Sequence, residues 1–205
     1  ALAQAEILLM SGVTTVRDAG SSWDLLLILD NSLKKLYNFP RLQLCGPPIT
    51  TTGGHLHFMN CEADTKEEII KAVRLHKKRG CNAIKMIVTG GQMTPGSLPE
   101  KISYTIEHIK ELVDESKRLE LPTLAHCLNI EGFINSIKGG IDSIEHCAFF
   151  KRNKSNNLLE RVYEPSIIEK VRGISCYFMK GLSSNYHSLD RVREGNEKPS
   201  TTQKF

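Results

Sequence analysis

The sequence predicts an α/β fold in which helices cover a mainly parallel β-sheet. Short segments rich in β-branched and apolar residues alternate with longer amphipathic segments, and about six strand–helix units follow one another along the 205 residues. A closed (β/α)8 barrel needs eight strands and typically about 250 residues, whereas a doubly wound open sheet needs fewer strands. Periodicity alone leaves both architectures open.

The predicted strands are short and rich in Val, Ile, Leu and Thr, which suit a pleated, buried surface. In chain order they are GVTTVRD (12–18), PRLQLCG (40–46), NAIKMIV (82–88), LPTLAHC (121–127), IDSIEHC (141–147) and ISCYFM (174–179). The loops after several of them contain Gly pairs or Pro, which end a strand.

The predicted helices lie between these strands, over 22–38, 64–80, 103–120, 130–140 and 164–173. The second begins with a capping box, Thr65 with Glu68 three residues later, and stops at Gly80. The third carries its apolar residues on one stripe, and the last has Pro165 at its start. The first residues, ALAQAEILLMSG, are typical of the end of a helix already under way.

These elements divide the chain into two parts. Residues 1–180 form the predicted α/β unit, and residues 181–205 are polar and are expected to be a loop or tail.

Composition argues for a globular protein that binds neither membranes nor nucleic acids. Hydrophobic residues make up 40% and charged residues 24%, and no apolar run approaches the roughly 20 residues of a membrane helix. The densest basic clusters, 77–80 and 151–154, are not interleaved with aromatic residues. Six cysteines without a C-x-x-C spacing are expected to be reduced thiols, as in the cytoplasm.

The loop after the second predicted strand holds His55 and His57, one residue apart, behind a glycine pair. On a strand, this spacing would point both imidazoles to the same side. The pair therefore suggests a metal site or a substrate clamp, and two ordinary loop histidines remain the simpler interpretation.

Two further histidines, His126 and His146, stand at the ends of successive predicted strands. The carboxyl ends of parallel strands meet at one edge of the sheet, so these side chains are expected to be neighbours. Neutral imidazole is the commonest metal ligand, and zinc accepts it readily. Either residue alone is more often an ordinary hydrogen-bonded histidine.

Lys85 lies within NAIKMIV, between two apolar residues. Burial lowers the pKa of a lysine, so its amine can become neutral and add carbon dioxide to form an anionic carbamate that bridges metals. A lysine that reaches the rim or pairs with an acid is the commoner alternative.

Five phrases in this order, GVTTVRDAG, GPPITTTGGH, AIKMIVTGG, LAHC and GGIDSIEHC, resemble the amidohydrolase superfamily. The branch they resemble is the imidazolonepropionase-like and Xaa-Pro dipeptidase-like group of metal-dependent hydrolases. The resemblance implies a (β/α)8 TIM-type barrel, incomplete, with about strands 2 to 7 of the family present. It covers residues 1 to about 180.

The resemblance also implies a metal site. The family uses a His-x-His on strand 1, a carboxylated lysine on strand 4, single histidines on strands 5 and 6, and an aspartate on strand 8. By position, Lys85 matches the lysine, and His126 and His146 match the single histidines. His55 matches a pocket residue that polarises the substrate carbonyl, away from the metal, and His57 has no matching role.

The sequence departs from the family pattern at both ends. A strand-1 His-x-His and a strand-8 Asp are not recognised, and Leu128 stands where related peptidases often carry Tyr. The chain is therefore expected to be a partial sequence or a truncated product. As given, it should bind metal weakly and turn over little or nothing.

The sequence supports two hypotheses about function, one for an enzyme and one for a structural or interaction protein. The first is a metal-dependent hydrolase of C–N bonds in amides, peptides or cyclic imides, with one or two divalent metals such as Zn²⁺ and a small-molecule or dipeptide-like substrate. The second is an inactive barrel fragment with a structural or interaction role, in which open strand edges promote self-association, for example as a homo-oligomer. A phosphate-binding open sheet is disfavoured because no phosphate-loop motif occurs.

Overall fold

The computed structural model describes residues 2–23, 39–162 and 164–179. Within them lie five α-helices, which are α1 (Leu2–Met10), α2 (Lys66–Lys78), α3 (Ile106–Arg118), α4 (Ile130–Gly139) and α5 (Ser166–Val171). The strands are β1 (Thr15–Asp18), β2 (Arg41–Leu44), β3 (Ile84–Ile87), β4 (Thr123–Cys127), β5 (Ser143–His146), β6 (Phe150–Arg152), β7 (Leu159–Arg161) and β8 (Tyr177–Met179). The helix predicted over 22–38 and the tail predicted over 181–205 fall outside these residues, apart from Ser22 and Trp23.

The main strands are parallel, as predicted. β1 pairs with β2, and β3, β4, β5 and β8 form a four-stranded sheet in that order. A parallel bridge between Ile49 and Met86 places the segment after β2 beside β3. Across the described residues these strands do not close into a barrel, and they match the central part of the predicted incomplete (β/α)8 fold.

The helices begin and end where the sequence predicts, to within a few residues. In α2 the Thr65 side chain accepts a hydrogen bond from the Glu68 backbone amide, and the Glu68 carboxylate accepts one from the Thr65 amide, which completes the capping box. In α4 the Asn129 side chain caps the first turn, and Gly140 ends the helix in the left-handed conformation. Among the described helices, none is long and apolar enough to cross a membrane.

The core lies between the sheet and the helices. Its buried residues include Ile69 and Val73 from α2, Ile109 and Leu112 from α3, Phe133 from α4, and Met86, Ala125 and Ile144 from the strands. A second, smaller cluster of Cys45, Ala83 and Leu124 lies apart from this core. Since side chains alternate along a strand, Lys85 shares its face with Ala83 and points away from the helices.

Three features differ from the sequence predictions, one being that β8 begins at Tyr177 rather than at residue 174. β1 begins at Thr15 rather than at residue 12, because Gly12 has a φ of +88° and its amide bonds back to Leu9 at the end of α1. The antiparallel hairpin β6–β7 was not predicted. Its strands have only three residues each, too short for a period-two pattern to stand out from the surrounding polar residues.

Candidate active site

His126 and His146 lie at the carboxyl ends of neighbouring parallel strands, as predicted. In the β4–β5 register His126 is opposite Glu145, and Cys127 is opposite His146. The two imidazole rings meet edge to face, with centroids 4.7 Å apart and an angle of 71° between their planes. The strand order therefore brings together two ligand-type side chains that are separate in the sequence.

Regular strand geometry alone would not bring the His146 ring to this position. Ser143 and Glu145 share one face, where Arg17 Nη2 lies 3.6 Å from Glu145 Oε1 and 3.4 Å from Ser143 Oγ. Alternation would put His146 on the opposite face. Instead His146 has a φ of +73°, a left-handed conformation that costs a non-glycine residue roughly 1–3 kcal/mol and that ends the strand.

Lys85 lies on β3, the strand that pairs with β4, and is buried, with only 3% of its surface exposed. Burial lowers the pKa of its amine to about 8, while Glu145 nearby acts in the opposite direction. Burial, followed by the charge of Lys85, lowers the pKa of His55 and lowers that of His146 to about 4, and burial, His146 and then Lys85 lower the pKa of His126. All four groups are thus within electrostatic reach of one another.

The contacts of His126 leave one ring nitrogen with a lone pair. Its Nε2 lies 3.2 Å from the carbonyl oxygen of Gly90, which can only accept, so Nε2 donates. Burial, followed by the neighbouring His146, holds the pKa of His126 well below its ordinary value. The neutral ring therefore carries its lone pair on Nδ1, the arrangement typical of a metal ligand oriented by a backbone carbonyl.

His55 and His57 take up different environments. The structure does not place them on a strand: they flank Leu56 in a loop, and His57 begins a short 3₁₀ turn and is exposed. His55 is buried, and its ring centroid lies 4.7 Å from that of His126. His55 is therefore adjacent to the predicted metal ligands rather than away from them, because the loop after β2 folds over the end of β4.

Sequence analysis missed the residues that hold His55 in place. The Thr94 hydroxyl lies 3.0 Å from His55 Nδ1, and a Cβ on Gly91 would lie 2.4 Å from His55 Nε2. Both belong to the loop after β3, in TGGQMTPGS. The glycine pair and the Pro-Gly turn signal indicate that the backbone of this loop passes close to another group, but they do not identify that group as His55.

The family resemblance implies a divalent metal, and the donor chemistry here fits part of such a site. Two neutral imidazoles are good zinc ligands. The Lys85 side chain can bind a cation only when its amine is neutral or has been converted to a carbamate. Nearby, Asp18 Oδ2 is buried without a hydrogen-bond partner. The described residues contain no group of three or more His, Cys, Asp or Glu side chains able to hold a metal by themselves.

Comparison with known proteins identifies the fold and the family of the chain. The chain is 35% identical over 89 residues to ochratoxinase of Aspergillus niger, a stretch that covers 43% of this chain and 18% of that protein. The crystal structure of that ochratoxinase superposes with a TM-score of 0.71 at 23% identity, over 91% of this chain and 46% of the other.

A second solved structure, a Xaa-Pro dipeptidase with bound methionine in the active site, superposes with a TM-score of 0.78 at 24% identity. The superposition covers 98% of this chain and 50% of the dipeptidase chain, so this chain spans about half the length of these structures. The model of the amidohydrolase family matches residues 2–193. The chain therefore belongs to the amidohydrolase family of hydrolases.

Proposed function

We propose that the protein containing this chain is a metal-dependent hydrolase of C–N bonds in an amide, peptide or cyclic imide. The observation that carries this proposal is the gathering of buried Lys85 with His126 and His146 at the carboxyl ends of parallel strands, where active sites of this architecture lie. The names of the similar dipeptidase and ochratoxinase suggest a small-molecule or dipeptide-like substrate.

Each residue has a definite task in this proposal. His126 and His146 hold one or two divalent metals, zinc being the leading candidate, and Lys85 acts as a ligand in its carboxylated form. The metal, when bound, supplies hydroxide near neutral pH and polarises the carbonyl. His55 donates a hydrogen bond to the substrate carbonyl and stabilises the negative charge that develops there.

The remaining metal ligands would come from family segments that were not recognised here, the strand-1 His-x-His and the strand-8 Asp. The absence of a C-x-x-C spacing among the six cysteines supports a reducing compartment, the cytoplasm, for the protein. We also propose that copies of the protein associate as a homo-oligomer.

The role of His55 is tested by separating turnover from metal content. In the protein that contains this chain, His55→Ala should lower kcat about 10²–10³-fold, as for loss of an oxyanion donor, and leave bound zinc unchanged. His57→Ala is the matched control, since His57 is exposed and its loss should change neither quantity. Loss of zinc in His55→Ala would make His55 a ligand instead.

The alternative function, an inactive fragment with an interaction role, is favoured by one observation. The described strands do not close a barrel, and β8 is exposed along its whole length, with Tyr177 at 74%. Size-exclusion chromatography, zinc analysis and activity measurements on the protein that contains this chain separate the two functions. Self-association without bound zinc or turnover supports the interaction role, whereas stoichiometric zinc and turnover rule it out.

A further inference from the structure

We propose that Thr94 is a positioning residue that holds the proton of the His55 ring on Nε2, so that His55 faces the pocket as a hydrogen-bond donor. The catalytic consequence rests on the proposed function, but the position of the proton does not. Two hydrogen bonds that meet at the Thr94 hydroxyl oxygen fix the position of this proton.

The Thr94 hydroxyl has two contacts. The backbone amide of Leu56 donates to Thr94 Oγ1 at 2.9 Å, and His55 Nδ1 lies 3.0 Å from the same oxygen. A hydroxyl offers one hydrogen and two lone pairs. Because the Leu56 amide is a donor, it occupies a lone pair and leaves the hydroxyl hydrogen available.

The acceptor of the Thr94 hydroxyl hydrogen determines the tautomer of His55. Across the described residues, the Thr94 hydroxyl makes no other hydrogen bond. If His55 Nδ1 carried the proton, the hydroxyl hydrogen of a side chain that is only 3% exposed would have no acceptor, an arrangement costing about 1–3 kcal/mol. If Thr94 instead donates to Nδ1, the Leu56 amide, the hydroxyl and Nδ1 are all satisfied. The neutral ring then carries its hydrogen on Nε2.

The bond from Thr94 also sets the charge of the His55 ring. A ring nitrogen that accepts a hydrogen bond carries a lone pair and no hydrogen, so the ring is neutral and has a single N–H. Fixing Nδ1 as the acceptor therefore fixes Nε2 as the donor.

Gly91 packs on the ring without covering the Nε2–H direction. A Cβ on Gly91 would lie 2.4, 2.5 and 2.6 Å from His55 Nε2, Cε1 and Cδ2. Nearly equal distances to three neighbouring ring atoms put that position over the ring face, not in line with the N–H bond. Only a glycine therefore allows the ring to lie here, and Nε2–H stays free to meet another group.

Thr94 itself is held by a tight turn. The Ser97 amide donates to the Thr94 carbonyl at 3.1 Å, with Pro95 and Gly96 between them, and Gly96 has a φ of +80°. These are the features of a type II turn, which needs glycine at its third position and favours Pro at its second. The Ser97 hydroxyl then accepts from the Gly91 amide at 3.0 Å, which connects the turn to the glycine beneath His55.

A purely structural role for Thr94 is the competing explanation. Leu56 has a φ of +61°, so its backbone is strained, and the bond from its amide to Thr94 helps to hold it there. Such a role would change stability when Thr94 is altered but would not change the tautomer of His55. The two roles are therefore separated by a spectroscopic measurement.

The measurement is the ¹⁵N chemical shift of the imidazole nitrogens in the metal-free 205-residue chain, assigned with His55→Gln. We expect the Nε2–H tautomer for His55 in the wild type and in Thr94→Ser, which keeps the hydroxyl. In Thr94→Val, which keeps the shape but not the hydroxyl, the signals should move towards the Nδ1–H form. Exposed His57 is the internal control and should not change.

Two results would overturn the proposal. One is an Nδ1–H tautomer of His55 in the wild type, a measurement that needs no variant to fold. The other is a folded Thr94→Val chain in which the His55 signals do not move.

Activity gives a second and separate readout in the protein that contains this chain. Thr94→Val should lower kcat about 10- to 100-fold, the usual effect of losing a residue that orients a catalytic group. KM and zinc content should stay nearly unchanged, and Thr94→Ser should recover most of the lost kcat. An unchanged kcat in Thr94→Val with a shifted tautomer would overturn the positioning role. Absence of hydrolysis in the wild type, with the expected tautomer present, would refute the proposed function alone.

Discussion

His126 and His146 lie with their ring centroids 4.7 Å apart at the ends of β4 and β5. The parallel register brings the strand ends together, and the left-handed backbone at His146 turns its ring towards His126. The nitrogen of His126 that is not bonded to Gly90 keeps its lone pair. This pair is the part of the site from which metal binding can be tested most directly.

Substitution of His126 should weaken metal binding. His126→Ala removes one imidazole ligand, so we expect zinc affinity to fall by about tenfold or more, since even the loss of a hydrogen bond to a metal ligand has an effect of this size. Isothermal titration with Zn²⁺ measures it, and His57→Ala serves as the control that keeps the number of strand-end histidines. Equal affinity in the two variants would remove His126 from the ligand set.

Substitution of Lys85 by Met should separate stability from metal binding. The change removes a buried amine and fills its space with an apolar side chain of similar length, so the free energy of unfolding should stay equal or rise. Zinc affinity should fall, and bicarbonate should no longer strengthen it. A Lys85→Met chain whose zinc affinity still responds to bicarbonate would contradict carboxylation at this position.

The buried histidines should make the metal-free chain sensitive to acid. The pKa values of His55 and His126 are lowered in the folded state, so the unfolded chain binds more protons as the pH falls below about 6.5. The free energy of unfolding should then decrease by about 1.4 kcal/mol per pH unit for each proton taken up. Urea titrations in EDTA between pH 7.5 and pH 5 measure this slope.

A matched pair of variants identifies the residue responsible. His126→Gln should flatten the slope because it removes one buried base, and His57→Gln, which changes an exposed histidine, is the control variant. Identical slopes in wild type and His126→Gln would show that His126 does not titrate on unfolding.

The contact between α3 and α4 depends on Gly139. A Cβ at this position would lie 2.2 Å from Ile109 Cγ2, so Gly139→Ala should overpack the helix interface and cost about 1–3 kcal/mol. Ile109→Ala removes the opposing atoms and should itself destabilise by leaving a cavity. The double variant should lose less stability than the sum of the two single variants, and strict additivity in a double-mutant cycle would show that the two residues do not meet.

Sequence reasoning identified most of the elements because their signals are local. The capping box of α2 and the terminal glycine of α4 depend on residues within one or two turns, and both were found where the pattern predicts them. His126 and His146 were expected to be neighbours because the carboxyl ends of parallel strands meet at one edge of the sheet, and Lys85 was assigned by the family resemblance. The packing of His55 against His126 was not predictable, since it depends on the path of an irregular loop.

The sequence by itself determined the α/β class and the order of the strands along the chain, because period and caps act over short distances. Its resemblance to a known family predicted Lys85, His126 and His146 as metal ligands and His55 as a pocket residue. The tertiary structure alone decided which faces meet. It brought the loop after β2 against the end of β4, turned His146 through a left-handed residue, and placed the Thr94 hydroxyl between His55 and the Leu56 amide. Those contacts join residues far apart in the chain, and they follow from packing and hydrogen-bond satisfaction in the buried site, which no local pattern records.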